Sequence, residues 1–208
     1  RFGVDLWLAP AFNLHRTALC GRNFEYLSED PLLSGRIAAA IARGVQSHPG
    51  RGVTVKHLAC NNQETNRLNS NSNVSPRALR DLYLRAFEIC VRQARPAAVM
   101  TSYNLINGVH TSESAELLEA ILRQEWGFDG LVMTDCDMKH PRATAAASVK
   151  AGNELFMPGG EPDRENLLAA LRRGSEGNEA DFDGDPDGGV VRLTRAELEK
   201  QAARVIRA

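Results

Sequence analysis

The sequence predicts an α/β fold on parallel strands, of the (β/α)8 barrel type, present as a partial barrel of about five βα units. Short apolar runs alternate with stretches of helical spacing along the chain. Polar and charged side chains gather at or just after the C-terminal ends of those runs, where parallel α/β folds place their chemistry. A closed eight-stranded barrel takes roughly 250 residues, so a chain of 208 is expected to lack about three units before Arg1. An open doubly wound sheet is the competing architecture.

The elements follow in order. Val4 to Ala9 is a strand-like run ended by Pro10, and a long loop carries Arg22, Asn23 and Glu25 as far as Pro31. Leu32 to Gln46 has helical spacing with small alanines on one face. Val53 to Ala59 is the second strand, interrupted by Lys56 and His57, and a polar loop with Glu64 and Arg67 follows. Ser75-Pro76 opens a helix to about Gln93, with Leu79, Leu82, Tyr83, Phe87 and Val91 on its buried side. Ala97 to Ser102 is the third strand, followed by Tyr103, and a helix begins at Ser112. Leu131-Val132-Met133 is the fourth strand, entered through the turn Gly127 to Gly130 and ending in Thr134-Asp135. Ala143 to Ala151 reads as a helix, Asn153 to Met157 as a fifth strand, and Arg164 to Arg172 as another helix. Thr194 with Glu197 forms a capping box for a last helix running to about Ile206.

Composition excludes several classes. The chain is 43% apolar and 25% charged, with a formal net charge of −1, which fits a globular domain and argues against disorder. Basic and acidic residues are interleaved, so no nucleic-acid footprint is present. No apolar run reaches membrane-spanning length. Cys20, Cys60, Cys90 and Cys136 are widely spaced without a CxxC pair, so they read as free thiols and no metal site is expected. The acidic stretch from 175 to 190 holds Asp183, Asp185, Asp187 and Gly188, echoing a calcium loop. Thr194 stands where the closing Glu should be, so this stretch reads as a solvated insertion. A chain opening on Arg1 reads as a fragment, which leaves localisation open, with a bacterial cytoplasm favoured.

If the strands are parallel, Arg22, Lys56, His57, Tyr103 and Asp135 share one rim, joined by Arg67 from the loop after the second strand. A carboxylate at a strand tip among cations is suited to nucleophilic work, with the cations favouring its ionised form. Each residue also has a plainer role. Arg22 could bridge to Glu25 or Glu29, His57 could be a satisfied core histidine, Tyr103 a packing aromatic, and Asp135 a helix cap. Lysines are rarely buried unpaired, so Lys56 is the hardest to assign to structure alone. Asp137 is a rival carboxylate lying past the strand end.

Five motifs, CGRNFEYLSEDP, VKHLACNNQETNR, MTSYNLINGVHTSE, EWGFDGLVMTD and AGNELFMPG, together resemble the N-terminal barrel domain of glycoside hydrolase family 3, in its β-glucosidase-like branch. The resemblance covers nearly all of residues 3 to 172 and resumes at the terminal helix. It implies a retaining hydrolase of terminal β-linked sugars, using no cofactor, with Asp135 as the nucleophile. Arg22, Lys56, His57 and Arg67 would bind hydroxyls of the sugar, with Tyr103 beside the nucleophile. The general acid/base Glu would come from another α/β domain of the same protein, absent from this chain. The run KHLACNNQE speaks against the single-domain branch, whose corresponding run is of the KHFPGHG type. Cys136 stands where the family usually has Trp, which bears on sugar specificity. A β-xylosidase or other β-glycosidase of the same family, and a non-catalytic carbohydrate-binding barrel, are the alternatives.

Overall fold

The computed structural model describes residues 3–136, 143–175 and 190–207. Asp137 and nearly all of the acidic insertion lie outside them. In chain order the elements are β1 (Leu6–Trp7), α1 (Pro31–Gln46), β2 (Gly52–Leu58), β3 (Asn71–Ser72) and α2 (Pro76–Ala78). A π-helical turn, Leu79–Tyr83, then leads into α3 (Arg85–Ala94), followed by β4 (Ala98–Thr101), β5 (Leu105–Ile106) and β6 (Val109–His110). A 3-10 turn (Thr111–Glu113), a π-helix (Glu116–Glu125), β7 (Leu131–Met133), α4 (Ala145–Ala151), α5 (Glu161–Ser175) and α6 (Arg195–Arg207) complete the series.

β1, β2, β4 and β7 form a parallel sheet in that order, each pairing with the next in sequence. No reversal of order occurs among the described strands, although a doubly wound sheet is defined by one. The predicted fifth strand shrinks to one parallel bridge, Met133 to Leu155. Side chains take over the rest of its ladder: Glu154 Oε2 accepts from Val132 N (2.5 Å), and Thr134 Oγ1 accepts from Met157 N (3.1 Å). A second sheet, β3-β5-β6, lies outside the strand–helix alternation. Its β5–β6 hairpin turns through Asn107-Gly108, both at positive φ, as a tight hairpin requires.

The core lies between the parallel sheet and its helices. Val53, Val55 and Leu58 of β2 are fully buried with Phe12, and Phe12 packs on Phe87 of α3 at 4.5 Å between ring centroids. α1 starts at Asp30, whose side chain accepts from the amides of Leu32 and Leu33, with Pro31 in the first turn. Its Ala38, Ala39 and Ala42 are fully buried, and a Cβ at Gly35 would stand 2.9 Å from Ala86 O, so small residues permit the close approach to α3.

The helix predicted from Ser75 is present but changes pitch. Leu84 N bonds to Leu79 O, one residue further back than in an α-helix, and this turn shifts the buried face. Phe87 and Val91 are buried and Leu79 and Tyr83 partly so, but Leu82 is turned out to solvent. The capping box forms as predicted: Thr194 Oγ1 accepts from Glu197 N (3.2 Å) and Glu197 Oε2 accepts from Thr194 N (2.7 Å).

Candidate active site

The site grows from the ends of β2 and β7. After β1 the chain runs alongside β2: Lys56 N donates to Pro10 O and Phe12 N to Lys56 O, each at 3.1 Å. The side chain of Asn13 continues this ladder. Its Nδ2 donates to His57 O (2.9 Å), and its Oδ1 accepts from His57 N (3.1 Å). His57 is thereby fixed at the strand end with its side chain 1% exposed.

Asp135 follows β7, with its side chain 12% exposed. Oδ1 accepts from Cys136 N at 2.7 Å. Oδ2 lies 3.5 Å from His57 Nε2 and has no hydrogen-bond partner among the described residues. Burial pushes the Asp135 carboxyl above its usual range, against the Cys136 amide and the charges of Arg22, Lys56 and Arg67. The cations therefore act in the direction the sequence predicts, but desolvation outweighs them. Burial also drives His57 well below its ordinary value, and the same three cations add to the effect. The imidazole is neutral at pH 7, so its contact with Asp135 is that of a dipole with a carboxyl, not an ion pair.

The remaining residues reach the carboxyl through a chain of contacts. Arg67 Nη1 pairs with Glu64 Oε2 (2.7 Å), and its guanidinium lies over the Tyr103 ring at 4.9 Å. The Tyr103 hydroxyl donates to Cys136 O, next to Asp135. Arg22 makes the salt bridge its loop position allows, Nε to Glu25 Oε1 at 2.5 Å, yet its charge still bears on both Asp135 and His57. Glu64 packs beside Gly21, where a Cβ would meet its Cγ at 3.6 Å, and so stands between the two arginine segments. Arg22, Lys56 and Arg67 thus act electrostatically on Asp135 and His57, and Tyr103 joins them through Arg67 and Cys136 O. Sequence reasoning missed Asn13, whose only signal is a polar residue inside the apolar run from Ala9 to Leu14.

Other hollows lie elsewhere. A cleft of about 580 Å³ runs between Arg80 and Trp126, with its Arg80–Glu125 and Arg85–Glu88 charges paired. A pocket of about 230 Å³ lies near Cys60 and Tyr83. Neither is lined by Asp135 or His57. Among the described residues no cluster of His, Cys, Asp and Glu could hold a metal ion. All four cysteines are free, and burial pushes the Cys60 and Cys90 thiols up to about 12.

Residues 1–185 match the family model of the glycosyl hydrolase family 3 N-terminal domain. The chain is 43% identical over 212 aligned residues to a β-glucosidase of Ruminococcus albus, covering 98% of this chain and 20% of that protein. It is 49% identical to an exo-α-(1→6)-L-arabinopyranosidase of Bifidobacterium longum, covering 82% of this chain and 22% of the relative. The structure of β-glucosidase 3B from Thermotoga neapolitana in complex with glucose superposes with a TM-score of 0.85 at 41% identity. That match takes in 99% of this chain and 27% of the other. The chain thus spans about a fifth of the length of these curated relatives.

Proposed function

The chain belongs to glycosyl hydrolase family 3, and on that footing we propose that it is the nucleophile-bearing part of a retaining β-glycosidase of the β-glucosidase type. One observation carries the reading. A carboxyl at a strand tip keeps an oxygen without a hydrogen-bond partner, 3.5 Å from a neutral imidazole, in the field of three cations. A nucleophile needs such an uncommitted lone pair. The sequential order of the parallel strands supports reading the sheet as an arc of an eight-stranded barrel, with the remaining strands contributed by the rest of the whole protein.

In this reading Asp135 Oδ2 attacks the anomeric carbon as the aglycone oxygen departs. A second carboxyl, about 5 Å away and carried by another α/β domain of the whole protein, protonates that oxygen. The same carboxyl then deprotonates a water, which cleaves the glycosyl ester and frees Asp135. Arg22, Lys56 and Arg67 donate to sugar hydroxyls, and His57 adds a neutral donor. Contacts that tighten as the ring becomes oxocarbenium-like accelerate the step. Tyr103, tied to Cys136 O, keeps the backbone beside the nucleophile in place. The relatives named for β-glucosidase and for L-arabinopyranosidase activity mark glucosides and pentopyranosides as the sugars to try first.

The test is to treat the whole protein with a 2-deoxy-2-fluoro-β-glucoside bearing an activated leaving group, digest it and map the label by mass spectrometry. Label on Asp135 is expected. A label on any other residue, or sugar binding without turnover at any pH, overturns the reading.

A further inference from the structure

The imidazole facing Asp135 has no hydrogen bond of its own among the described residues. His57 Nδ1 is buried without a partner, and Nε2 lies 3.5 Å from Asp135 Oδ2. Its orientation therefore depends on packing and on how its backbone is held. Above it, Pro10, Phe12 and Lys56 are joined by main-chain hydrogen bonds. At His57 that ladder passes to a side chain: the Asn13 amide donates to His57 O and accepts from His57 N. A primary amide carries the same donor and acceptor as a peptide group, so Asn can stand in for a strand residue where Leu or Asp cannot. Asn13 is 3% exposed and His57 1%, so removing the amide takes away both of these bonds from buried backbone groups.

We propose that Asn13 is the positioning residue for His57, and through it sets the imidazole against the Asp135 carboxyl. The inference rests on the reading of Asp135 as nucleophile. Asn13 touches no substrate. Its contribution is to keep the ring of His57 from tilting, and a displacement of about 1 Å at such a site lowers the rate by roughly 100-fold.

The experiment follows the rate of covalent labelling by the 2-fluoro glycoside in four forms of the whole protein: unsubstituted, Asn13→Ala, His57→Ala and the double variant. Label on Asp135 in the unsubstituted protein must come first, and its absence sinks the underlying reading whatever the variants do. Given that label, Asn13→Ala is expected to slow labelling by about 10- to 100-fold. In the His57→Ala background the same substitution is expected to cost less than about 3-fold, because the group it positions is gone. An equal loss in both backgrounds, or none in the first, overturns the proposal. A loss of folding alone does not reproduce this pattern, since rates are taken per molecule of folded protein. If Asn13→Ala does not fold, Asn13→Ser retains a hydroxyl able to serve one of the two bonds and takes its place in the cycle. If neither folds, Asn13 is a folding residue and the proposal fails.

Discussion

Two buried carboxyls lie on or against the same strand and are treated in opposite ways. Glu154, with a side chain 0% exposed, has both oxygens occupied. Oε1 takes Arg123 Nη2 (2.5 Å) and Arg204 Nη1 (3.1 Å), and Oε2 takes the amide of Val132 in β7. Asp135, three residues beyond Val132, has one oxygen on its neighbour's amide and the other without a hydrogen bond. The first cluster goes on through Arg204 to Glu119, which also pairs with Lys200, and fastens α6 to the π-helix; of its polar atoms only Arg123 Nε is left over. The second leaves Asp135 Oδ2 and His57 Nδ1 over as well. The two carboxyls differ less in burial than in how many of their oxygens the folded chain engages. A satisfied buried charge fixes a strand, and an unsatisfied one is available for a bond that the folded chain does not supply.

The sharpest way to break this contrast is to exchange the outcomes. If Asp135 is the nucleophile as proposed, Asp135→Asn in the whole protein should lower turnover of an aryl β-glycoside by about 10³- to 10⁶-fold. The same substitution should raise the thermal midpoint at neutral pH. The sign follows from its raised pKa: the folded protein holds this proton more tightly than the unfolded chain. Relative stability from Asp135 is therefore present below the unfolded carboxylate pKa and lost as pH rises through the folded value. An unchanged or lower midpoint above that window would mean that Asp135 is satisfied after all.

Glu154→Leu should do the reverse. It leaves Arg123 buried without its partner, at a cost of roughly 3–5 kcal/mol in urea unfolding. Labelling of Asp135 in the fraction that remains folded should change little. A labelling loss as large as that of Asp135→Asn would show that the two clusters are one.

His57 supplies a gentler test. Its pKa is depressed, so its contribution is present above the ordinary value near 6.5 and lost as pH falls through the folded one. Melting midpoints of the unsubstituted protein should climb with pH up to about 6.5, and His57→Gln should flatten part of that slope. The smallest effect belongs to the structural side. Thr194→Ala removes the cap of α6 and should cost roughly 1 kcal/mol, read from unfolding curves, with kcat unchanged.

The local elements were legible because they depend on neighbours in sequence. The capping box at Thr194, the proline start at Pro76 and the apolar triplet of β7 all follow from short-range rules. The exposed Leu82 did not, because a π-turn adds a residue and rotates the face, and no single side chain signals it. Nor did the loss of the fifth strand to one bridge at Leu155, since the competing bonds come from the side chains of Glu154 and Thr134. In the site, the charges of Arg22, Lys56 and Arg67 all bear on Asp135 and His57. Asn13 escaped because its partners, the amide and carbonyl of His57, are 44 residues away.

The sequence by itself determined the alternation of strand and helix, the placing of charge at strand ends, and the family. Those depend on residue type and spacing, which a chain carries before it folds. Tertiary structure decided that burial would outweigh three cations at Asp135, that His57 would be neutral, and that one amide would hold its backbone. Desolvation and hydrogen-bond geometry belong to the packed arrangement, and no spacing along a chain encodes which groups will lose their water.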